Sequence, residues 1–152
     1  PEARVLLFGQ GLLVEPIRAR IAADPLLSAQ VQLAGFRRDL DRILPCLDVL
    51  AHPAFMEGLG VSLLQAAACG VPIVGGRAGG IPEIVRPGLN GELVEPGDVG
   101  GLAGALNRLL DSADLRERMG QAGRQWVEAH FSIDAMVEGN LAVYRALLGG
   151  AG

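Results

Sequence analysis

One carboxylate, Glu57, stands among small and apolar residues in the stretch HPAFMEGLGVSLLQAAACGVPIVGGRAGG, which runs from His52-Pro53 to Gly79-Gly80. Gly58 and Gly60 follow it, and an apolar run that reads as a helix begins at once. Glycines lack a Cβ, so backbone there can approach a ligand closely. A helix start offers unpaired N–H groups and a partial positive charge, which suit a phosphate or another anion. Two roles fit Glu57 itself. Either it interacts with the helix dipole, or its paired oxygens accept hydrogen bonds from vicinal hydroxyls of a sugar. Phosphate-seeking N–H groups beside a hydroxyl-seeking carboxylate are what a sugar phosphate requires. In the second role Glu57 stands alone because its partners are ligand hydroxyls and not protein cations. Gln65 is the polar exception in the same helix, among Leu63, Leu64, Ala66, Ala67 and Ala68. Its amide either faces a cleft, where it meets a ribose, or makes a local hydrogen bond; spacing supports both equally.

Elements that position these residues are legible on either side. RVLLFGQG (4–11), VQLAGF (31–36), DVLAHP (48–53) and VPIVGG (71–76) read as short buried strands, and NGELVEPGD (90–98) as a turn, a strand and a helix cap at Asp98. VEPIRARIAAD (14–24) has helical spacing, with Ile17, Ile21 and Ala22 on one face. DLDRILPCL (39–47) reads as a helix opened by Asp39 and ended or kinked by Pro45. GVSLLQAAACG (60–70) is a helix closed by Gly70, IPEIV (81–85) one helical turn, and three helices follow over 98–111, 113–130 and 133–148. Strands that are continuous apolar runs, alternating with helices, predict an α/β fold with a parallel sheet covered on both faces. Ligands in that architecture bind beyond the carboxyl ends of the strands. Three glycine-rich turns lie there: GQGLL, AGFRRDL and HPAFMEGLGV.

Composition excludes several classes. With 152 residues, half of them hydrophobic and a fifth charged, the chain can build one globular core. A net charge of −4 and scattered arginines argue against nucleic acid as a partner. All 13 basic residues are arginine, so any chemistry that needs a lysine cannot run on this chain alone. Arg37, Arg38 and Arg42 read as a solvated face. Cys46 and Cys69 have no metal-ligand or disulfide spacing and read as small core residues of a reducing compartment. His52 and His130 are isolated in the sequence and read as structural. No stretch reaches the ~20 apolar residues of a membrane helix, which leaves peripheral membrane contact open.

The region HPAFMEGLGVSLLQAAACGVPIVGGRAGGIPEIVRPGLNGELVEPGD resembles the signature of the retaining nucleotide-sugar glycosyltransferases of group 1 (family 4). That family includes glycogen and sucrose synthases and many bacterial mannosyl-, glucosyl- and N-acetylglucosaminyltransferases. LLFGQG, VQLAGFRRDLDRILPCLDVLAHP and RERMGQAGRQWVEAHFS match its flanking segments, so the resemblance covers nearly the whole chain. It implies a Rossmann-like parallel sheet sandwiched by helices, part of the C-terminal, donor-binding domain of a two-domain (GT-B) enzyme. Residues 1–152 are then a single donor-binding domain, with the acceptor held by an N-terminal domain outside this chain. The resemblance also implies that the first strand and helix of the domain lie upstream of Pro1, so that the remaining strands lack their middle neighbour.

Residue by residue, the resemblance gives Glu57 contacts to hydroxyls of the transferred sugar. It lays the backbone of Gly58, Leu59, Gly60 and Val61 along the sugar and diphosphate. It puts Gly35 and Phe36 at the nucleobase and Gly9 to Gly11 on the cleft. It implies no metal and no cofactor beyond the nucleotide diphosphate sugar substrate, with N–H groups and cations stabilising the leaving diphosphate. It places the enzyme in the cytoplasm or at the inner face of a membrane, with a sugar, lipid or other small acceptor. The sequence departs from the family twice. The second glutamate of the motif, a ribose ligand, is Gln65 here, so a charge-assisted bond of ~1.5–3 kcal/mol falls toward ~1 kcal/mol. The arginine and lysine that clamp the diphosphate have no counterpart within the chain. A non-catalytic nucleotide-binding homologue and a nucleotide-sugar epimerase of the same fold are the rival readings.

Overall fold

The computed structural model describes residues 3–149. The chain divides into two compact units, Pro1–Ile43 and Leu44–Gly152. The first contains β1 (Val5–Phe8), α1 (Val14–Ala23), α2 (Pro25–Gln30), β2 (Val31–Gly35) and α3 (Leu40–Ile43). The second opens with a 3-10 turn, Leu44–Cys46, and continues through β3 (Leu50–His52), α4 (Val61–Ala68), β4 (Ile73–Gly76), α5 (Ile81–Ile84) and β5 (Gly91–Val94). It ends in α6 (Val99–Asp111), α7 (Ala113–His130) and α8 (Ile133–Gly149). All strand pairs among the described residues are parallel. They form two separate sheets, β1-β2 in the first unit and β3-β4-β5 in the second.

In the first unit, β1 pairs with β2 alone among the described residues. The expectation that β1 is buried is not met: Val5, Leu6 and Leu7 are 41%, 38% and 37% exposed. Among the described residues one edge of β1 is unpaired, and the helices of its unit pack mainly on each other and on β2. Register slips by one residue at the end of this pair, where Leu7 faces Leu33 but Phe8 faces Gly35. The bulge at Ala34 is possible because Gly35 adopts a left-handed backbone, φ 66°. Helix α2 escapes the sequence reading, although its start is written in Asp24-Pro25. The Asp24 carboxylate accepts from the N–H groups of Leu26 and Leu27, and Pro25 occupies the first turn. Asp39 does open α3, but its side chain takes Arg37 in two hydrogen bonds of 2.8 and 2.6 Å.

The second unit has the continuous core. Strand β4 lies between β3 and β5, and all four of its residues are buried. Val74 packs with Ala105, Leu109 and Met119, bringing α6 and α7 onto the sheet. Helix α4 buries Leu63, Ala66 and Ala67, the i, i+3, i+4 face expected of an amphipathic helix. Its last turn closes on Gly70 at φ 76°, with Val71 N–H donating to Ala66 O and Gly70 N–H to Ala67 O. Against it runs α7, close enough that a Cβ on Gly120 would meet the carbonyl oxygen of Gly70. Arg124 of α7 donates to Ala68 O at 2.9 Å, satisfying one of the end carbonyls of α4. Cys46, expected in the core, is exposed, because the 3-10 turn points Leu44 inward in its place; Cys69 is half-buried. His130 is structural as expected: it stacks on Trp126 at 3.8 Å and its Nδ1–H donates to the Trp126 carbonyl.

Asn90 is the buried polar residue that locks the turn before β5. Its Oδ1 accepts from Arg86 N–H at 2.7 Å and its Nδ2 donates to Ile84 O at 2.9 Å. Removing both bonds strands a donor and an acceptor in a site only 1% exposed. Asn90→Ala should therefore lower unfolding stability by about 2 kcal/mol or more. Arg18→Ala, which breaks the exposed pair with Glu15, should stay within about 1 kcal/mol of wild type in the same denaturant titration.

Candidate functional site

The segment between β3 and α4 carries the carboxylate. It leaves the sheet at His52, whose carbonyl accepts from Ala54 N–H at 2.9 Å, and it ends at Gly60. Gly60 is buried and left-handed (φ 75°), and its carbonyl accepts the first N–H groups of α4, from Leu63 and Leu64. The N–H groups of Val61 and Ser62, in the first turn, have no acceptor within the helix. Chain is brought over this segment by the glycines after β4. Gly80 N–H donates to both Gly58 O (3.0 Å) and Glu57 O (3.2 Å). A Cβ on Gly79 would collide with Glu57 O, and one on Gly80 with Gly58 O. The backbone of Gly79-Gly80 therefore lies directly on the backbone of Glu57-Gly58.

Glu57 is half-buried and both of its oxygens are engaged. Oε2 lies 2.8 Å from His52 Nε2, and Oε1 accepts from Gly58 N–H at 3.0 Å. The expectation that Glu57 stands alone, without a protein partner, is therefore corrected, and His52 is not isolated. The reason lies in the turn after β3, which folds residue 57 back over the strand end where His52 sits. The hydrogen bond from His52 holds the Glu57 carboxyl below the usual glutamate range, with smaller contributions from its charge and from the N–H groups of Gly58 and Gly60; partial burial opposes them. The carboxylate is thus ionised and acceptor-only. It offers about four lone-pair positions, of which two are taken, leaving room for ligand hydroxyls.

Glu57 and Gly58 line an open depression of about 480 Å³ together with Phe55, Met56 and Gly79. Phe55 and Met56 are 72% and 87% exposed, an unusual degree for large apolar side chains. Leu59 and Val61 are also exposed, and Gln65 is exposed one helical turn beyond Val61 on the same side of α4. In the first unit, Gly9 N–H donates to Gly35 O at 2.9 Å, so the two glycine turns meet. Gly9 and Gly35 have positive φ and open space where a Cβ would stand, as does Gly11. Phe36, next to them, is 61% exposed. Sequence reasoning missed His52, Gly79 and Gly80. The paired glycines after a strand were the available signal. His52 carried none, since its link to Glu57 spans a strand end and an irregular turn. No group of three or more metal-ligating side chains occurs among the described residues.

Two outcomes are expected of this loop in the whole protein. Gly79→Ala must strain a left-handed backbone (φ 52°) and push against the Glu57 carbonyl, and should cost well over 1 kcal/mol of stability. Gly58→Ala builds into open space and should change stability by about 0.5 kcal/mol or less; thermal melts of both variants decide this. The second outcome concerns acid. A carboxyl that releases its proton more readily in the folded chain adds stability above its unfolded value of about 4.3 and loses it as pH falls through the lower folded value. The stability gap between wild type and Glu57→Gln should therefore be full at neutral pH and close below about pH 4. A gap constant across that range would mean that the ionised carboxylate makes no net bond.

The model of the family described as Glycosyl transferases group 1 matches residues 1–126. The chain is similar to the GDP-mannose-dependent monoacylated alpha-(1-6)-phosphatidylinositol monomannoside mannosyltransferase of Corynebacterium glutamicum. They are 40% identical over 147 residues, which span 91% of this chain and 38% of that relative. It is 31% identical to the N-acetyl-alpha-D-glucosaminyl L-malate synthase of Bacillus anthracis, over 97% of this chain and 38% of the relative. Among solved structures, Anabaena HepE in complex with UDP superposes with a TM-score of 0.83 at 26% identity, covering 98% of this chain and 42% of that one. The chain thus spans about two fifths of the proteins it resembles. With parallel sheets flanked by helices, and a family match over most of its length, this chain belongs to the group 1 glycosyl transferases.

Proposed function

We propose that this chain is the donor-binding part of a retaining glycosyltransferase that moves a sugar from a nucleotide diphosphate sugar to an acceptor held elsewhere in the whole protein. The observation that carries it is the Glu57 carboxylate. It is ionised, held by His52 and Gly58 N–H, and borders an open depression just before the start of α4. Similarity to HepE, solved with UDP, and to a mannosyltransferase named for GDP-mannose supports a nucleotide sugar as the ligand. The names of these relatives favour transfer over epimerisation. The phosphatidylinositol mannoside in the name of the Corynebacterium relative supports a lipid-linked acceptor. No helix among the described residues is long and apolar enough to cross a membrane.

The chemistry follows from charge. As the bond between the anomeric carbon and the diphosphate breaks, positive charge develops on the sugar ring and negative charge on the leaving oxygens. Glu57 accepts hydrogen bonds from sugar hydroxyls and is anionic beside the developing positive charge. The N–H groups at the start of α4, with the backbone of Gly58 to Val61, receive the diphosphate, as fixed dipoles that need no reorganisation during reaction. In this proposal those N–H groups take the place of a metal, as the family resemblance implies. By the family resemblance, Gly35 and Phe36 are the residues proposed for the nucleobase and Gly9 to Gly11 for the cleft, and Gln65 offers its amide to the ribose in place of a carboxylate. The missing charge at Gln65 weakens ribose binding without removing the hydrogen bond.

The test pairs turnover with binding. In the whole protein, assayed with GDP-mannose and UDP-glucose as donors, Glu57→Gln should lower kcat/KM by about tenfold or more. The affinity for the bare nucleoside diphosphate, measured by calorimetry, should be unchanged, because that ligand has no sugar for Glu57 to touch. Unchanged turnover together with lowered thermal stability would return Glu57 to a purely structural role at the helix start.

A further inference from the structure

We propose that His52 is the positioning residue for the Glu57 carboxylate, fixing the direction in which Glu57 meets the transferred sugar. The inference rests on the reading of Glu57 as a sugar-binding residue. The two partners differ in how firmly they are held. His52 is the last residue of β3, paired in register with Gly75 of the fully buried strand β4. Glu57 sits on an irregular turn, and its carboxylate stands at the end of a side chain with three rotatable bonds. A rigid donor therefore meets a carboxylate that would otherwise sample several directions. Sites of this kind gain their precision from supporting groups on regular elements.

The chemistry of the bond is fixed by the acceptor. An ionised carboxylate cannot donate, so His52 presents Nε2–H to Oε2 across 2.8 Å. Gly58 N–H takes the other oxygen at 3.0 Å. Two bonds from two directions define the plane of the carboxylate, and the lone pairs that remain are those available to a ligand. Their side chains are 27% and 28% exposed, against 59% and 79% for the surface pair Arg18–Glu15, so the bond is better shielded from water. The ion-pair partner that the structure shows for Glu57 is His52.

A double-mutant cycle in the whole protein tests this, with donor kinetics, calorimetry of the bare nucleoside diphosphate, and thermal melts for each variant. His52→Leu, which removes the donor, should lower kcat/KM for the donor sugar by about tenfold. His52→Gln, whose amide N–H reaches about as far as Nε2, should recover most of that loss. Combined with Glu57→Gln, His52→Leu should add no more than about twofold, since its effect passes through the carboxylate. Diphosphate affinity should hold throughout. Full activity of His52→Leu while Glu57→Gln is disabled, or an equal loss added on top of Glu57→Gln, would overturn the proposal. Should His52→Leu fail to fold, His52→Gln and the shorter His52→Asn decide the matter: the first active and the second impaired supports positioning, and equal activity overturns it. A fully active Glu57→Gln would instead remove the underlying reading of Glu57, an outcome visible separately in that variant alone.

Discussion

Backbone pressed against backbone is the constraint on which the site depends. The loop carrying Glu57 is held down by Gly79-Gly80, whose main chain approaches the main chain of Glu57-Gly58 so closely that no Cβ fits between them. The Gly80 N–H, shared between two carbonyls, is the hydrogen-bonded seam of that contact. Side chains could not make it, because any atom beyond hydrogen would separate the two segments and lift Glu57 away from the strand end. The same device recurs one turn earlier, where a Cβ on Gly76 would press on the backbone of Ala54. A glycine-rich exit from β4 is therefore the floor of the site.

The helix behind the carboxylate is placed by a second close approach. Small residues on α4 and glycines on α7 let the two helices meet, with Gly123 against Ala67 and Asn90, and Gly120 against Gly70. Arg124 then ties the far end of α4 through the Ala68 carbonyl. The effect is to fix the axis of α4 from its C-terminal end and from its buried face, while its N-terminal turn and the exposed side bearing Val61 and Gln65 stay open. Packing and function thus occupy opposite parts of one short helix.

Cations serve the surface more than the site. Arg37 binds Asp39, Arg77 binds Glu95, and Arg116 reaches the carbonyls of Leu109 and Leu110 as well as Asp48. The positively chargeable group that the structure pairs with Glu57 is an imidazole. A guanidinium there would form a fork-shaped pair and consume both carboxylate oxygens. An imidazole takes one oxygen from one side, which leaves the carboxylate both oriented and available.

Much of this protein was legible in its residues. Continuous apolar runs separated by helical periodicity and glycine turns predicted every described strand and all described helices but α2; burial on both faces of a parallel sheet leaves that imprint, which is fulfilled in β4 and not in β1. Asp98, Ser112 and Gly70 marked helix ends by their local hydrogen bonding, which needs no distant partner. The spacing of Glu57, Gly58 and Gly60 before an apolar run marked the candidate site for the same reason: a helix start and a flexible loop are local features. Tertiary structure alone decided the rest. It gave Glu57 a partner in His52, exposed β1 and Cys46, and seated Gly79-Gly80 on the Glu57 loop, since each of these depends on how separate segments pack. A sequence records what each residue prefers nearby, and only the folded chain determines which distant atoms come to within hydrogen-bond reach.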